Sequence, residues 1–305
     1  MKSLTLSVPN DFWKEEERCD YKVSKEMKQI WAVELDLLHM FDTVCKKHQL
    51  RYFASDGTLL GAIRHHGFIP WDDDIDIAML REDYDKLCKI GPAEFKHPYF
   101  FQTEYTDPGS FRFHAQLRNS ETTAILANEL HGKFSFNQGV FLDIFVFDNV
   151  PDSEALFVTQ KKRAEVMKSR ASFFVFWGKR FVLQGRNFKY KLELLIHCVF
   201  GRISQRLADY YCRSYEREIS RFKNLPTEYV ARLYRTFRQP KYLKRDCFIE
   251  IMWVDFEFLK IPVPKNYTEV LDKQYRNWQT PLQVSTSHGE VYFDVNKSYN
   301  QYLKS

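Results

Sequence analysis

The 305 residues suffice for one large domain or two ordinary ones, and 44% hydrophobic with 28% charged side chains is the balance of a soluble globular protein. Six scattered cysteines without a C-x-x-C pair exclude a zinc cluster or disulfide framework and are expected to be buried thiols in a reducing compartment. The N-terminus has no apolar signal stretch, and no apolar run reaches the about 18 residues of a membrane span, so the expected location is cytoplasmic. Net charge is +5, but between Gln160 and Leu207 12 lysines and arginines face only Glu165 and Glu193, so an acidic body carries one basic segment suited to an anionic membrane, nucleic acid or glycan. Nucleic acid is not the expected partner, because no nucleic-acid module accompanies the charge.

In chain order, residues 24–48 predict a helix. Ser24 can cap it, and Ile30, Val33, Leu37, Phe41 and Val44 recur at steps of three and four, with Trp31, Leu35 and Leu38 widening the apolar face. Arg51–Ala54 predicts a short strand ending in an Asp56-Gly57 turn. Thr58–Arg64 predicts a helical turn and Gly67–Trp71 a hairpin-type connection. Polar and apolar residues alternate in Asp74-Ile75-Asp76-Ile77, the pattern of a half-buried strand, so Asp74 and Asp76 share one face. Arg81-Glu82-Asp83 opens a further helix.

Phe111–Arg118 alternates and predicts a strand with Arg112, His114, Gln116 and Arg118 on one face, which either lines a ligand site or meets solvent. Gly139–Asp148 is apolar on both faces except at Asp143, as in a central strand covered on both sides. Residues 155–224 read as helical. There Phe173, Phe174, Phe176, Trp177, Phe181, Val182 and Leu183 crowd beside Lys179 and Arg180, and Tyr190–Phe200 leads to Arg202 and Arg206. Such mixing suits either interfacial membrane binding or an ordinary solvated insertion. Cys247–Leu259 predicts a strand broken by Pro262 and Pro264. A short helix, Glu269–Tyr275, follows, capped by Asn266 or Thr268, with His288 in a polar loop. The division expected is a catalytic core from 1–154, a basic, aromatic-rich helical insertion at 155–224, and a part at 225–305 that completes the core.

Two carboxylates in parallel on one strand face repel each other, and a divalent cation that prefers oxygen ligands, Mg²⁺ or Mn²⁺, relieves the repulsion. A lone carboxylate inside an apolar strand is costly unless matched, so Asp143 is the natural third ligand beside Asp74 and Asp76, with a simple hydrogen-bonded aspartate as the alternative. Arg118 is a candidate for bidentate phosphate binding. In the sequence, 15 residues intervene between Thr58 of the Gly57-Thr58 turn and Asp74. A small turn meeting donor phosphates, then a strand with two metal-binding carboxylates and a third on a later strand, is the arrangement of polymerase-β-type nucleotidyltransferases. That predicts an α+β fold with a mixed sheet, flanking helices and a helical insertion. Asp56-Gly57-Thr58 imitates part of the haloacid-dehalogenase signature, but Ala54 stands where the nucleophile belongs. An EF-hand fails because Ile77 replaces the loop glycine. A GT-A glycosyltransferase using a nucleotide sugar stays as the alternative.

The segment GTLLGAIRHHGFIPWDDDIDIAM resembles the LicD family of bacterial phosphotransferases, related to the fukutin group of animal enzymes. The likeness resumes at Phe141–Phe145 and at Ile261–Tyr267, Leu271, Tyr275, Pro281 and His288, and leaves 155–224 uncovered. It implies transfer of a phosphorylated alcohol from a CDP-activated donor, with CDP-choline first and CDP-ribitol in the fukutin group, to a hydroxyl of a surface glycan such as lipopolysaccharide. CMP is the leaving group. On this resemblance Asp74, Asp76 and Asp143 are metal ligands, Gly57 and Thr58 the phosphate turn, and Arg64 a candidate for donor phosphate charge. Arg276 stands where the family usually has glycine. Asp143, then Asp76, is the candidate proton acceptor. Asp73 is out of phase and is expected, with Asp72, in the turn before the strand. Trp71 reads as a packed turn aromatic or a stacking platform, His65 and His66 as phosphate contacts or solvated loop residues, and His288 as structural.

Overall fold

The computed structural model describes residues 4–127, 129–130, 135–179, 188–233, 242–283 and 290–302. His288, Arg180 and Phe181-Val182-Leu183 lie outside the described residues, as do the side chains of Phe176, Trp177, Lys179, Tyr190–Phe200 and Arg202.

A hairpin of β1 (Glu16–Arg18) and β2 (Tyr21–Val23) precedes α1 (Lys25–Lys47). The Ser24 hydroxyl caps α1 by accepting from the Met27 amide at 3.2 Å, and Lys46 and Lys47 sit at the end the helix dipole favours. Its apolar stripe packs Trp31, Leu35, Leu38 and Phe41 into the core, and Trp31 stacks on Phe68 with ring centroids 4.5 Å apart. Removing a side chain so enclosed costs about 3–5 kcal/mol.

Next come β3 (Phe53–Ala54), α2 (Asp56–Arg64), β4 (Asp76–Leu80) and α3 (Arg81–Glu94). β3 and β4 are antiparallel neighbours joined through α2, not by the hairpin expected at Gly67–Trp71. β4 begins at Asp76, so Asp74 stands just ahead of the strand that was expected to carry it. After β5 (Tyr99–Gln102) the chain enters β6 (Ala115–Asn119), later than the alternation from Phe111 predicts. Phe111 and Phe113 have φ of 45° and 62°, which no strand tolerates. β7 (Thr123–Leu126) and β8 (Val140–Val150) follow, and β8 is buried throughout except at half-buried Asp143.

β8 is the centre of a mixed sheet. It runs parallel to β4 and antiparallel to β6 and β9 (Tyr229–Ala231); β5 extends the sheet beyond β6, and β10 (Leu243–Lys244) beyond β9. Between β8 and β9 stand α4 (Glu154–Lys179) and α5 (Phe188–Ile219). Gln160 donates to the Glu218 carbonyl at 2.9 Å and Ser204 to the Phe174 carbonyl at 2.5 Å, which makes the two helices antiparallel. A small cluster with Val150, Phe157, Tyr215 and Leu233 roots them. Arg81 fastens the root further, donating to Asp148 on β8 at 2.6 and 2.9 Å and to Glu216 on α5 at 2.5 Å.

The strand expected over Cys247–Leu259 is instead a hairpin of β11 (Ile251–Phe256) and β12 (Leu259–Pro264). Pro262 and Pro264 lie within β12. They are tolerated because, among the described residues, this two-stranded sheet leaves β12 without a hydrogen-bonded strand on its other edge. α6 (Tyr267–Gln274) follows Asn266, and β13 (Val291–Asp294) returns to pair with β7. Cys45, Cys212 and Cys247 are buried and Cys88 half-buried, whereas Cys19 is exposed, against expectation.

Candidate active site

The site follows from strand register. Parallel pairing sets Asp76 directly beside Asp143, and antiparallel pairing sets Gln116 on the other side of Asp143. Adjacent strands lie about 4.8 Å apart, so three polar side chains form a row across the sheet. The Asp143 amide donates to the Ile75 carbonyl at 2.9 Å, which continues this register back towards Asp74. The first turn of α2 is stitched to the same place: the Asp76 amide donates to Thr58 Oγ1 at 2.7 Å, and the Ser55 amide to the Asp76 carbonyl at 3.0 Å. Helix starts leave amides without intrahelical acceptors, so α2 presents its positive end beside Asp76. A Cβ at Gly57 would stand 2.5 Å from Asp72 Oδ2, so a larger residue in that turn would have to push the Asp72 carboxylate aside.

Asp72, Asp73 and Asp74 each bring a carboxylate oxygen within 4.8 Å of the others, so Asp73 joins the cluster despite its parity. Trp31 anchors this segment by donating from its indole to the Asp72 carbonyl at 2.8 Å. One turn further along α1, Glu34 is buried, and its Oε2 has no hydrogen-bond partner among the described residues. Burial, then Asp74, Asp73, Asp72 and Asp76, hold its carboxyl well above the usual range. Asp76 is pushed the same way, by burial first and then by Asp74, Asp56 and Asp143, with Arg232 opposing. Asp143 differs. Burial raises it, but His114, with Nε2 at 3.1 Å from Oδ1, and Gln116, donating at 2.5 Å, outweigh burial and hold it below the usual range.

Arg118 is turned away from phosphate binding. It is 1% exposed, and it donates to Gln102 Oε1 at 2.6 Å, to Gln116 Oε1 at 2.6 Å and to the Gly139 carbonyl at 2.7 Å. Burial lowers its pKa to about 9. Its effect reaches Asp143 through Gln116, whose amide it orients. Arg64 is displaced too. It is the last residue of α2, about 9–10 Å along the helix from Thr58 and Gly57, and it donates to the Trp278 carbonyl at 2.8 Å. His65 and His66 share that far end, where His65 accepts from Arg64 at 2.9 Å and burial holds it down at about 4. Trp71 packs edge-on against Tyr21 at 5.9 Å, as a turn aromatic does. Arg112 pairs with Glu129 at 2.7 and 2.8 Å.

Sequence reasoning missed Glu34, Asp56 and Arg232. Asp56, at φ 44°, opens α2, and Arg232, just beyond β9, grips its carboxylate with both guanidinium nitrogens, one at 2.6 Å. Both side chains are buried, and the guanidinium lies 4.8 Å over the Phe145 ring, on the side of β8 that Asp143 occupies. A glutamate on an apolar helical stripe was a visible signal for Glu34. Arg232 gave none, because 176 residues separate it from Asp56.

Residues 49–174 match the family model described as LicD/FKTN/FKRP, nucleotidyltransferase domain. Over 252 residues, 80% of this chain and 88% of the relative, the sequence is 26% identical to the lipopolysaccharide cholinephosphotransferase LicD of Haemophilus influenzae. Shorter stretches match uncharacterized proteins of Rickettsia prowazekii (50% over 46 residues, 15% of this chain and 17% of the relative) and Rickettsia typhi (54% over 50 residues, 16% of each). Asp56, the aspartate cluster and Asp143 all fall inside the segment that matches the LicD-family domain model.

Proposed function

We propose that the protein is a metal-dependent phosphotransferase with a nucleotidyltransferase-like core, moving phosphocholine from CDP-choline to a hydroxyl of a surface glycan such as lipopolysaccharide. The observation that carries this reading is the Asp76–Asp143 register beside the start of α2, within the LicD-type segment. The likeness to the Haemophilus cholinephosphotransferase supports the choice of phosphocholine and of a lipopolysaccharide acceptor. A donor of this kind assigns the reaction to the cytoplasm.

The donor set fits a hard divalent cation. Asp76 is buried, with Asp74, Asp56 and Asp143 as the largest negative influences on it, and such carboxylates suit Mg²⁺ or Mn²⁺. Asp74, Asp76 and Asp143 would hold it, and when bound it supplies neutralisation of donor phosphate charge. The amides of Gly57 and Thr58 face the diphosphate at the positive end of α2, and Thr58, which accepts from Asp76, keeps its own O–H as a donor. The acceptor oxygen attacks the phosphorus that bears choline. A new P–O bond forms, the bond to the CMP oxygen breaks, and CMP departs with that electron pair. The acceptor's proton passes to a carboxylate. Asp143 is the first choice because His114 and Gln116 hold it ionised, and Asp76 is the second.

Incubating the purified chain with Mg²⁺, an acceptor glycan and a panel of CDP-alcohols tests this, with CMP as the readout. CMP release with CDP-choline, abolished by chelation, is expected. Turnover with nucleotide sugars alone would replace this reading with the glycosyltransferase.

A further inference from the structure

The α4–α5 hairpin carries a second feature, independent of the reaction above. A groove of about 340 Å³ runs between the two helices. Lys162, Arg163 and Arg170 line it from α4 around Val166 and Met167, and Tyr211 closes it from α5. None of its lining residues is acidic. All three cations are exposed, and Arg170 is held in place by its guanidinium lying 5.4 Å over the Tyr211 ring. That ring is itself stacked on Phe174 at 5.7 Å. The groove is thus a fixed cationic rim above an apolar floor.

Its surroundings repeat the pattern. Val166, Phe173, Ile203 and Tyr210 are 47–57% exposed, and Arg206 lies exposed between the last two. Within 161–173 and 203–214 seven basic residues stand against Glu165 and Asp209, neither of which lines the groove, and Glu165 faces Lys161 at 3.6 Å. Soluble surfaces seldom combine a surplus of cations with protruding apolar side chains in one stripe. An anionic amphiphile satisfies both halves at once. Its phosphate is drawn to the rim and its hydrocarbon to the floor, while the protruding residues enter the interfacial layer.

We propose that this groove docks the protein on a membrane by binding the headgroup phosphate of an anionic phospholipid. Lys162, Arg163 and Arg170 contact the phosphate, Val166 and Met167 contact the upper acyl carbons, and Phe173, Ile203 and Tyr210 enter the interface.

The test is flotation of the full chain with phosphatidylcholine vesicles and with vesicles containing about 30 mol% phosphatidylglycerol, at low and high salt. Binding to the anionic vesicles alone, weakened by salt, is expected. Replacing the three cations together (Lys162→Gln, Arg163→Gln, Arg170→Gln) should lower partitioning about a hundredfold, about fivefold per cation. Lys162→Gln with Arg163→Gln leaves the Arg170–Tyr211 contact untouched and should lower it about 25-fold, on the same basis. Phe173→Ser should weaken binding at both salt concentrations. Equal recovery on neutral vesicles, no recovery on either, or undiminished binding by both multiple variants would overturn the proposal. Release by millimolar inorganic phosphate would reassign the groove to a soluble phosphate, and displacement by an oligonucleotide to nucleic acid, and either result contradicts membrane docking.

Discussion

The central sheet and the α4–α5 hairpin handle charge in opposite ways. Around β4 and β8 the charges are enclosed, and several are matched at short range: Arg232 with Asp56, Arg81 with Asp148, Arg118 with Gln116, His114 with Asp143. On the hairpin, cations of one sign stand exposed around an apolar floor. Buried pairs act at short range, and breaking one strands a charge without water. Exposed like charges act collectively, at a distance set by salt. The difference teaches that the sheet should respond sharply to single substitutions, whereas the hairpin should respond to the number of charges removed.

The largest effect is expected at the row itself. Asp76→Asn or Asp143→Asn should lower turnover by about a thousandfold or more while leaving the far-UV circular dichroism unchanged. Retained turnover would break the contrast at its strongest point. Arg232→Ala should come next. It takes the paired guanidinium from buried Asp56, which keeps the Ser55 hydroxyl at 3.0 Å, at a cost of about 3–5 kcal/mol read from urea unfolding.

Gly57→Ala is a smaller probe. A Cβ 2.5 Å from Asp72 Oδ2 must displace that carboxylate, so kcat/KM should fall about tenfold. Glu34→Gln sharpens the comparison through pH. The folded chain holds this carboxyl above the usual 4.5, so it binds more protons folded than unfolded. Its contribution is fully present below that value and is lost as pH rises, so the variant should gain stability over wild type in thermal melts above pH 4.5, and not below it. The smallest effect should come from the hairpin: its triple glutamine variant should turn over a soluble acceptor within about twofold of wild type, because exposed charges contribute little locally.

Periodicity made the long elements legible. α1 shows a stripe at steps of three and four and β8 an apolar run with one interruption, while α4 and α5 fall in the stretch that reads as helical without so clear a period. Strands such as β9, β10 and β13 span two to four residues, too few for any period to show. Their identity depends on partners far along the chain, as when β13 pairs with β7. The same reason hid Arg232. Arg118 and Arg64 were misplaced for another reason: a guanidinium looks like a phosphate ligand in sequence, while buried carbonyls and amides that can absorb its donors become visible only in three dimensions. Asp74 stands ahead of β4, so parity alone understated the cluster that Asp72 and Asp73 complete with it.

The most direct measurement is mass spectrometry of an acceptor oligosaccharide after incubation with CDP-choline, Mg²⁺ and either wild-type protein or Asp76→Asn. Wild type should add phosphocholine to the glycan with an equal amount of CMP, and the variant should add none. Equal modification by the variant, or a sugar gained from a nucleotide sugar with no phosphocholine, would contradict the account.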